Sequence, residues 1–266
     1  MKNCVCTIVT PDFLANGLAT LHSMRKFYKN VDFCILYMDN YLPNCSFKNI
    51  KILDLNFIEE YEDISKKYGI ISNETRWSLK PFFILKLLDV YEKVIYVDPD
   101  MYFINNWDFL FDDIDGILLT RHWRPYTTQD AGFLLNFTDG MFNAGFIGCS
   151  RKSTEAIKWW SEACLWKCEM KKVSGLFVDQ KYLDFIYIHF PNVNYCKHLG
   201  CNLALWNIKE LRREMFGKEI IINNKYKGIF LHFSFIHKQD ECIYYYYKKY
   251  IKIVKNINKI LELQLN

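Results

Sequence analysis

Two carboxylates one residue apart, Asp98 and Asp100, close the apolar run Val94-Ile95-Tyr96-Val97 and are joined by Pro99. Side chains alternate along an extended backbone, so both acids can point the same way at a strand's end. Pro99 stiffens the link and removes a backbone donor. Two like charges held this close repel unless something positive sits between them. A divalent cation with hard oxygen ligands suits that place, and a diphosphate would complete its shell. Asp and Pro are also ordinary turn residues, so a solvated surface turn is the competing reading. The hydrophobic strand feeding the pair, Lys93 to Val97, favours the chemical one.

Other residues could join them. Phe142-Asn143-Ala144-Gly145-Phe146-Ile147-Gly148 is rich in small residues that let a ligand approach the backbone, and Asn143 can bond hydroxyls through both ends of its amide. A packed strand would need small residues equally. Asp179-Gln180 opens a helix-like segment; Asp179 is either its N-cap or, with Gln180, part of a polar pair facing a reacting group. His232, at the end of a late apolar strand, could complete an oxygen-rich metal site, or simply be hydrogen-bonded. Arg76 and Lys80 are candidates for phosphate or base contact, or plain helix-surface charge. His198 and Asn202 lie in one short polar stretch.

These residues need a frame. Cys4 to Val9 reads as a first strand and Phe13 to Tyr28 as a helix, with Leu14, Leu18, Leu21 and Met24 on one face. Strands are expected at Asp32 to Met38 and Ile50 to Leu55, and helices at Ile58 to Tyr68 and Trp77 to Tyr91. The strand ending at Asp98 follows. This alternation predicts an α/β fold: a mostly parallel sheet flanked by helices. Beyond it come a strand at Gly116 to Thr120, a long loop over Arg121 to Asp139, a strand at Met141 to Ser150, and helices at Thr154 to Cys168 and Asp179 to Phe185. Tyr195 to Leu205, Ile220 to Ile222 and Ile229 to His232 read as short strands or connectors. We expect one domain over residues 1–240 and a helical tail over 241–266.

Composition bounds the rest. A chain of 266 residues, 51% hydrophobic and 24% charged, is an ordinary globular balance. It is long enough to bury about 75% of its unfolded surface. A net charge of +4 argues against nucleic-acid binding. Lys248, Lys249, Lys252, Lys255 and Lys259 crowd the tail among tyrosines and isoleucines, which suits either an anionic membrane surface or a packed helix with a solvated lysine face. The ten cysteines include no Cys-x-x-Cys pair, and Met1-Lys2-Asn3-Cys4 runs straight into strand-like sequence. We therefore expect reduced, buried thiols in a cytoplasmic protein, peripheral at the inner membrane face if the tail binds lipid. The acceptor patterns at Asn44, Asn73 and Asn136 are then chance matches.

In order along the chain, Cys6-Thr7-Ile8-Val9-Thr10, Tyr96-Val97-Asp98-Pro99-Asp100, Phe142-Asn143-Ala144-Gly145, Val178-Asp179-Gln180 and Leu231-His232-Phe233-Ser234 resemble the motifs of GT-A fold, nucleotide-sugar-dependent glycosyltransferases. The match is to the glycogenin-like and bacterial lipopolysaccharide galactosyltransferase-like group and runs from about residue 3 to about 235. The resemblance implies a Rossmann-like GT-A sheet and transfer of a sugar from a nucleoside diphosphate donor, UDP above all, with retention of configuration. The acceptor would be a saccharide, a glycolipid or a protein. Asp98, Asp100 and His232 would hold Mn2+ or Mg2+. Thr7, Arg76, Lys80, His198 and Asn202 would contact the donor, and Asn143, Asp179 and Gln180 would face the transferred sugar. One departure is clear: the usual His-Phe-x-Gly has Phe235 for its glycine, and no Lys-Pro-Trp follows, although Lys238 is near.

Three rival classes stand beside this reading. Haloacid-dehalogenase-type phosphotransferases also use Asp-x-Asp at a strand end, but on the first strand; here the pair ends a fourth strand and Met101-Tyr102 follows it. A nucleotidyltransferase would need a glycine-rich phosphate loop, and Thr10-Pro11-Asp12-Phe13-Leu14 is not one. A nucleotide-sugar-binding protein without turnover is the non-enzymatic alternative.

Overall fold

After Asn3, every residue of the first strand is buried, as a strand covered by helices on both faces requires. The computed structural model describes residues 2–39, 41–43, 47, 49–234 and 239–265. Its strands are β1 (Asn3–Val9), β2 (Asp32–Tyr37), β3 (Ile50–Leu53), β4 (Lys93–Val97), β5 (Met101–Phe103), β6 (Ile117–Arg121) and β7 (Phe142–Ser150). There follow β8 (Met170–Lys171), β9 (Leu176–Phe177), β10 (Val193–Tyr195), β11 (Arg213–Phe216), β12 (Glu219–Ile222), β13 (Tyr226–Lys227) and β14 (Phe230–His232). The helices are α1 (Leu14–Arg25), α2 (Tyr61–Tyr68), α3 (Asn73–Leu88), α4 (Phe109–Asp112), α5 (Leu135–Thr138), α6 (Thr154–Trp166), α7 (Tyr182–His189) and α8 (Glu241–Leu265).

Seven strands form the main sheet in the order β10-β6-β7-β4-β1-β2-β3. All pairings are parallel except those of β7, which runs antiparallel to both β4 and β6. Helices α3 and α6 cover one face through Leu79, Phe83, Ile157 and Trp160; α1 and the Trp107–Phe111 segment cover the other. This is the mostly parallel, helix-flanked sheet that the alternation of signals predicts.

Two local features aim the polar residues. β14 pairs antiparallel with β5, setting His232 opposite Met101, and the Phe233 amide donates to the Asp100 carbonyl at 2.9 Å. The β6–β7 register jumps from Leu119–Ile147 to Thr120–Asn143, and the skipped stretch contains Ala144 and Gly145. Such bulges bend a strand and redirect a side chain.

Several expectations are corrected. The helix expected from Asp179 starts at Tyr182, because Val178 sits at φ +47° and a tight turn intervenes. Asp179 caps nothing: the residue before the helix is Lys181, which has no side-chain cap bond. The long loop after β6 holds the short helix α5. In the tail, Ile243, Tyr246, Tyr250 and Val254 are buried in a cluster with Ala15, Ala19, Tyr102 and Leu231. Burying an Ile or Val side chain contributes about 1.5–3 kcal/mol, so the apolar face of α8 is spent on the protein's own core. No helix among the described residues is long and apolar enough to cross a membrane.

Candidate functional site

Asp98, Asp100 and His232 converge, each offering one ligand atom within 4.8 Å of the others. His232 Nε2 lies 3.2 Å from Asp100 Oδ1 and 4.0 Å from Asp98 Oδ2. Both carboxylates keep 29% side-chain exposure, so the cluster opens to solvent.

The imidazole's orientation follows from hydrogen bonding. Asn143 Oδ1 accepts the Gly145 amide at 3.1 Å, which identifies that atom as the oxygen. His232 Nδ1, 3.2 Å from the same oxygen, must then donate to it, leaving the Nε2 lone pair facing the acids. A second partner fixing a ligand's tautomer is the usual support of a metal-binding histidine. Gly145 provides the room. A Cβ there would stand 2.5 Å from His232 Cε1, 2.8 Å from Asn143 Oδ1 and 2.9 Å from Asp98 Oδ2. Two carboxylates, one imidazole nitrogen and a cradle that any side chain would fill fit a hard or borderline divalent cation such as Mn2+ or Mg2+.

Charge balance extends the cluster inward. Lys80, its side chain 3% exposed, places Nζ 2.8 Å from Asp179 Oδ2, 3.7 Å from Asp98 Oδ1 and 2.8 Å from the Ala144 carbonyl. Its ammonium also lies 4.7 Å from the centre of the Tyr96 ring, and the Tyr96 hydroxyl donates to Asp98 Oδ1 at 2.8 Å. Burial works against the charged lysine, but Asp179 and Asp98 outweigh it and raise its pKa. Burial pushes the Asp179 carboxyl up against the opposing pull of Lys80. At Asp100, enclosure acts upward, yet His232 and then Arg76 hold the carboxyl below its ordinary value. At His232, burial acts downward, and Asp100 and Asp98 more than reverse it.

Behind Asn143 runs an amide network. Gln180 Oε1 accepts from Asn143 Nδ2 at 3.2 Å and from the Ala144 amide at 3.1 Å, while its Nε2 donates to the Asp139 carbonyl at 2.9 Å. Gln180 is thus a strut under β7, with one N–H of its amide lacking a partner among the described residues. His122 closes the chain, with Nδ1 3.0 Å from the Gly140 carbonyl and Nε2 3.4 Å from Asn143 Nδ2. Burial, then Arg124, depresses the His122 pKa strongly, so its imidazole is neutral.

The remaining residues fall at various places. Arg76 lies one helical turn before Lys80 and bonds Asn73; its charge reaches Asp100. Thr7 is fully buried with no hydroxyl partner among the described residues. It neighbours the acid turn, since a Cβ on Gly17 would meet Thr7 Cγ2 at 3.5 Å and Pro99 Cβ at 3.9 Å. Asn202, fully buried at φ +58°, has neither end of its amide bonded among the described residues. His198 is not brought into the cluster: it accepts the Gly200 amide and packs against the Phe109 and Tyr226 rings. Lys238 and Phe235 lie outside the described residues. Sequence reasoning assigned no role to Tyr96, two positions before Asp98 on the same strand face, although period-two alternation pointed to it. The stretch His122 to Tyr126, with Trp206, reads in the sequence as a candidate for the acceptor side; what the sequence does not signal is the bond of the neutral His122 ring to the Asn143 amide.

No protein-family model matches the chain. It is 26% identical over 247 residues to the uncharacterized protein YfnF of Bacillus subtilis (strain 168), covering 88% of this chain and 82% of that one. It is 24% identical over 243 residues to YfnD of the same organism, covering 86% and 76%. Among solved structures it resembles the galactosyltransferase LgtC in complex with donor and acceptor sugar analogs, with a TM-score of 0.59, 15% identity and 95% of each chain covered. It also resembles the bifunctional glycosyltransferase WbbM, with a TM-score of 0.60 and 16% identity over 96% of this chain and 50% of that one. The polypeptide therefore has the GT-A fold of these glycosyltransferases.

Proposed function

We propose that the chain is a divalent-metal-dependent glycosyltransferase that moves a hexose-type sugar from a nucleoside diphosphate, UDP in the first instance, to a saccharide hydroxyl with retention of configuration. The observation that carries the reading is the convergence of Asp98, Asp100 and the oriented Nε2 of His232 around the space left by Gly145, on a GT-A sheet.

When bound, the cation supplies Lewis-acid stabilisation of the charge that develops on the departing diphosphate. The chain's own residues do the rest. Asp98, Asp100 and His232 would hold the ion, with Mn2+ suited to the mixed oxygen and nitrogen set. Lys80 neutralises Asp98 and Asp179 from below and keeps both carboxylates in place. Asp179, 2% exposed and ion-paired, supplies a fixed negative charge near an oxocarbenium-like sugar and is not the nucleophile. The spare N–H of Gln180 orients a sugar hydroxyl, Asn143 holds Gln180 and His232 in place with both ends of its amide, and Thr7, Arg76 and Asn202 serve the nucleoside diphosphate. In the transfer, a bond forms between the acceptor oxygen and the anomeric carbon as the bond to the diphosphate breaks. The acceptor's proton leaves with the diphosphate.

On the acceptor side, Arg121, Trp123, Tyr126, Phe137 and Glu210 help line a cavity of about 550 Å3. Trp206 links this region to the cluster, its ring 5.5 Å from His122 and 5.2 Å from His232. Aromatic faces flanked by planar polar groups suit a saccharide. A glycolipid acceptor at the inner membrane face would meet the exposed lysines of α8, since its aromatic face is packed.

The test is transfer from radiolabelled nucleotide sugars with Mn2+, beside Asp100→Asn. Loss of both turnover and hydrolysis in the variant alone supports the enzyme. Donor binding without turnover in the parent protein supports a binding protein instead. An inverted anomeric centre in the product, read by NMR, overturns retention.

A further inference from the structure

The acid turn is gripped from the far end of the chain. Pro99 has no N–H, and its carbonyl lies between the two acidic residues. That carbonyl accepts the Tyr250 hydroxyl of α8 at 2.7 Å and the Thr20 hydroxyl of α1 at 2.7 Å. Thr20 Oγ1 also lies 2.8 Å from the Met101 carbonyl, so its one proton is shared between two acceptors. The Tyr250 hydroxyl also meets that of Thr20, and among the described residues the carbonyl it donates to is that of Pro99. The Tyr250 oxygen in turn accepts from Asn16 Nδ2 at 2.9 Å, which fixes the direction of its O–H. Burial raises the phenol's pKa, keeping it a donor. Its ring is wedged against Tyr102, two residues after Asp100 in β5, and Phe233, the residue next after His232.

We propose that Tyr250 is a positioning residue for the metal site: its hydroxyl locks the Pro99 carbonyl, and with it the angle at which Asp98 and Asp100 face His232. The inference rests on the metal-dependent reading above, and it assigns to the C-terminal helix a part in the reaction centre. A purely structural tyrosine would need its ring. A positioning one also needs its oxygen, and the directed hydrogen bond to a carbonyl between two ligands is what distinguishes them. A supporting partner of metal ligands typically carries about 10–100-fold in metal affinity; one step further removed, Tyr250 should carry about tenfold.

The experiment is Mn2+ titration of the full chain by electron paramagnetic resonance. It compares the parent protein, Tyr250→Phe and Tyr246→Phe, with thermal unfolding of each. Tyr246 is the control, since it sits on the same helix and its hydroxyl bonds the Lys218 carbonyl away from the turn. The expected result is about tenfold weaker Mn2+ binding in Tyr250→Phe alone, with a broadened spectrum of the bound ion. Equal Mn2+ affinities in all three proteins, or equal weakening by both substitutions, would overturn the proposal. Absence of Mn2+ binding by the parent protein would instead sink the metal-dependent reading on which it rests.

Discussion

Lys80 Nζ stands 2.8 Å from Asp179 Oδ2, joining a helix in the first half of the chain to a turn ninety-nine residues later. The pair is enclosed, and the same ammonium reaches Asp98 on the solvent side. The candidate site therefore has a charged foundation as well as a charged face.

Removing one member of that foundation leaves an uncompensated buried charge. Lys80→Met should destabilise the fold by about 3–5 kcal/mol, measured by urea unfolding. Lys80→Met with Asp179→Leu should recover much of that loss, since replacing both partners by apolar groups is far less costly. Additive losses in the double variant would contradict the pairing.

Gly145→Ala places a methyl group among His232, Asn143 and Asp98 at contacts of 2.5–2.9 Å. The expected outcome is a stability loss of about 1–3 kcal/mol from overpacking, together with loss of Mn2+ binding and transfer. Calorimetric titration with Mn2+ reads the second effect. Ion binding equal to that of the parent protein would mean that the cradle is not the site.

The His232 imidazole sets a pH dependence. Its pKa is raised above 6.5: burial lowers it, but the nearby Asp100 and Asp98 more than reverse that. Its ion pair with Asp100 therefore stabilises the metal-free fold fully below 6.5, and the gain fades as pH rises through the raised pKa. Asp100 is shifted below 3.8, so its share is lost only as pH falls through that depressed value. Divalent binding requires the neutral imidazole and so releases a proton. Mn2+ affinity should climb about tenfold per pH unit below the raised pKa and level off above it. His232→Gln should bind weakly with no such slope, as titration at pH 5.5, 6.5 and 7.5 would establish.

The sheet and the acid pair were legible because their signals are local: buried β-branched runs, helical spacing of Leu14, Leu18 and Leu21, and a strand ending in Asp98-Pro99-Asp100. What local pattern cannot carry is the partner of a side chain. Lys80 reads as surface charge until α3 turns it inward beneath β7, and Gln180 reads as wholly ligand-facing until Asn143, Ala144 and Asp139 claim all of its amide but one N–H. The onset of α7 was misplaced because Val178 adopts a positive φ that no β-branched residue advertises. The tail gave an ambiguous signal, because an aromatic face has the same spacing whether it meets lipid or Tyr102 and Phe233.

The most direct measurement is anomalous diffraction at the manganese edge from crystals soaked with Mn2+ and UDP. The expected result is one peak bounded by Asp98, Asp100 and His232 Nε2, with density for a diphosphate on its open side. Diphosphate density with no peak in that corner, or a peak held by other side chains, would contradict it.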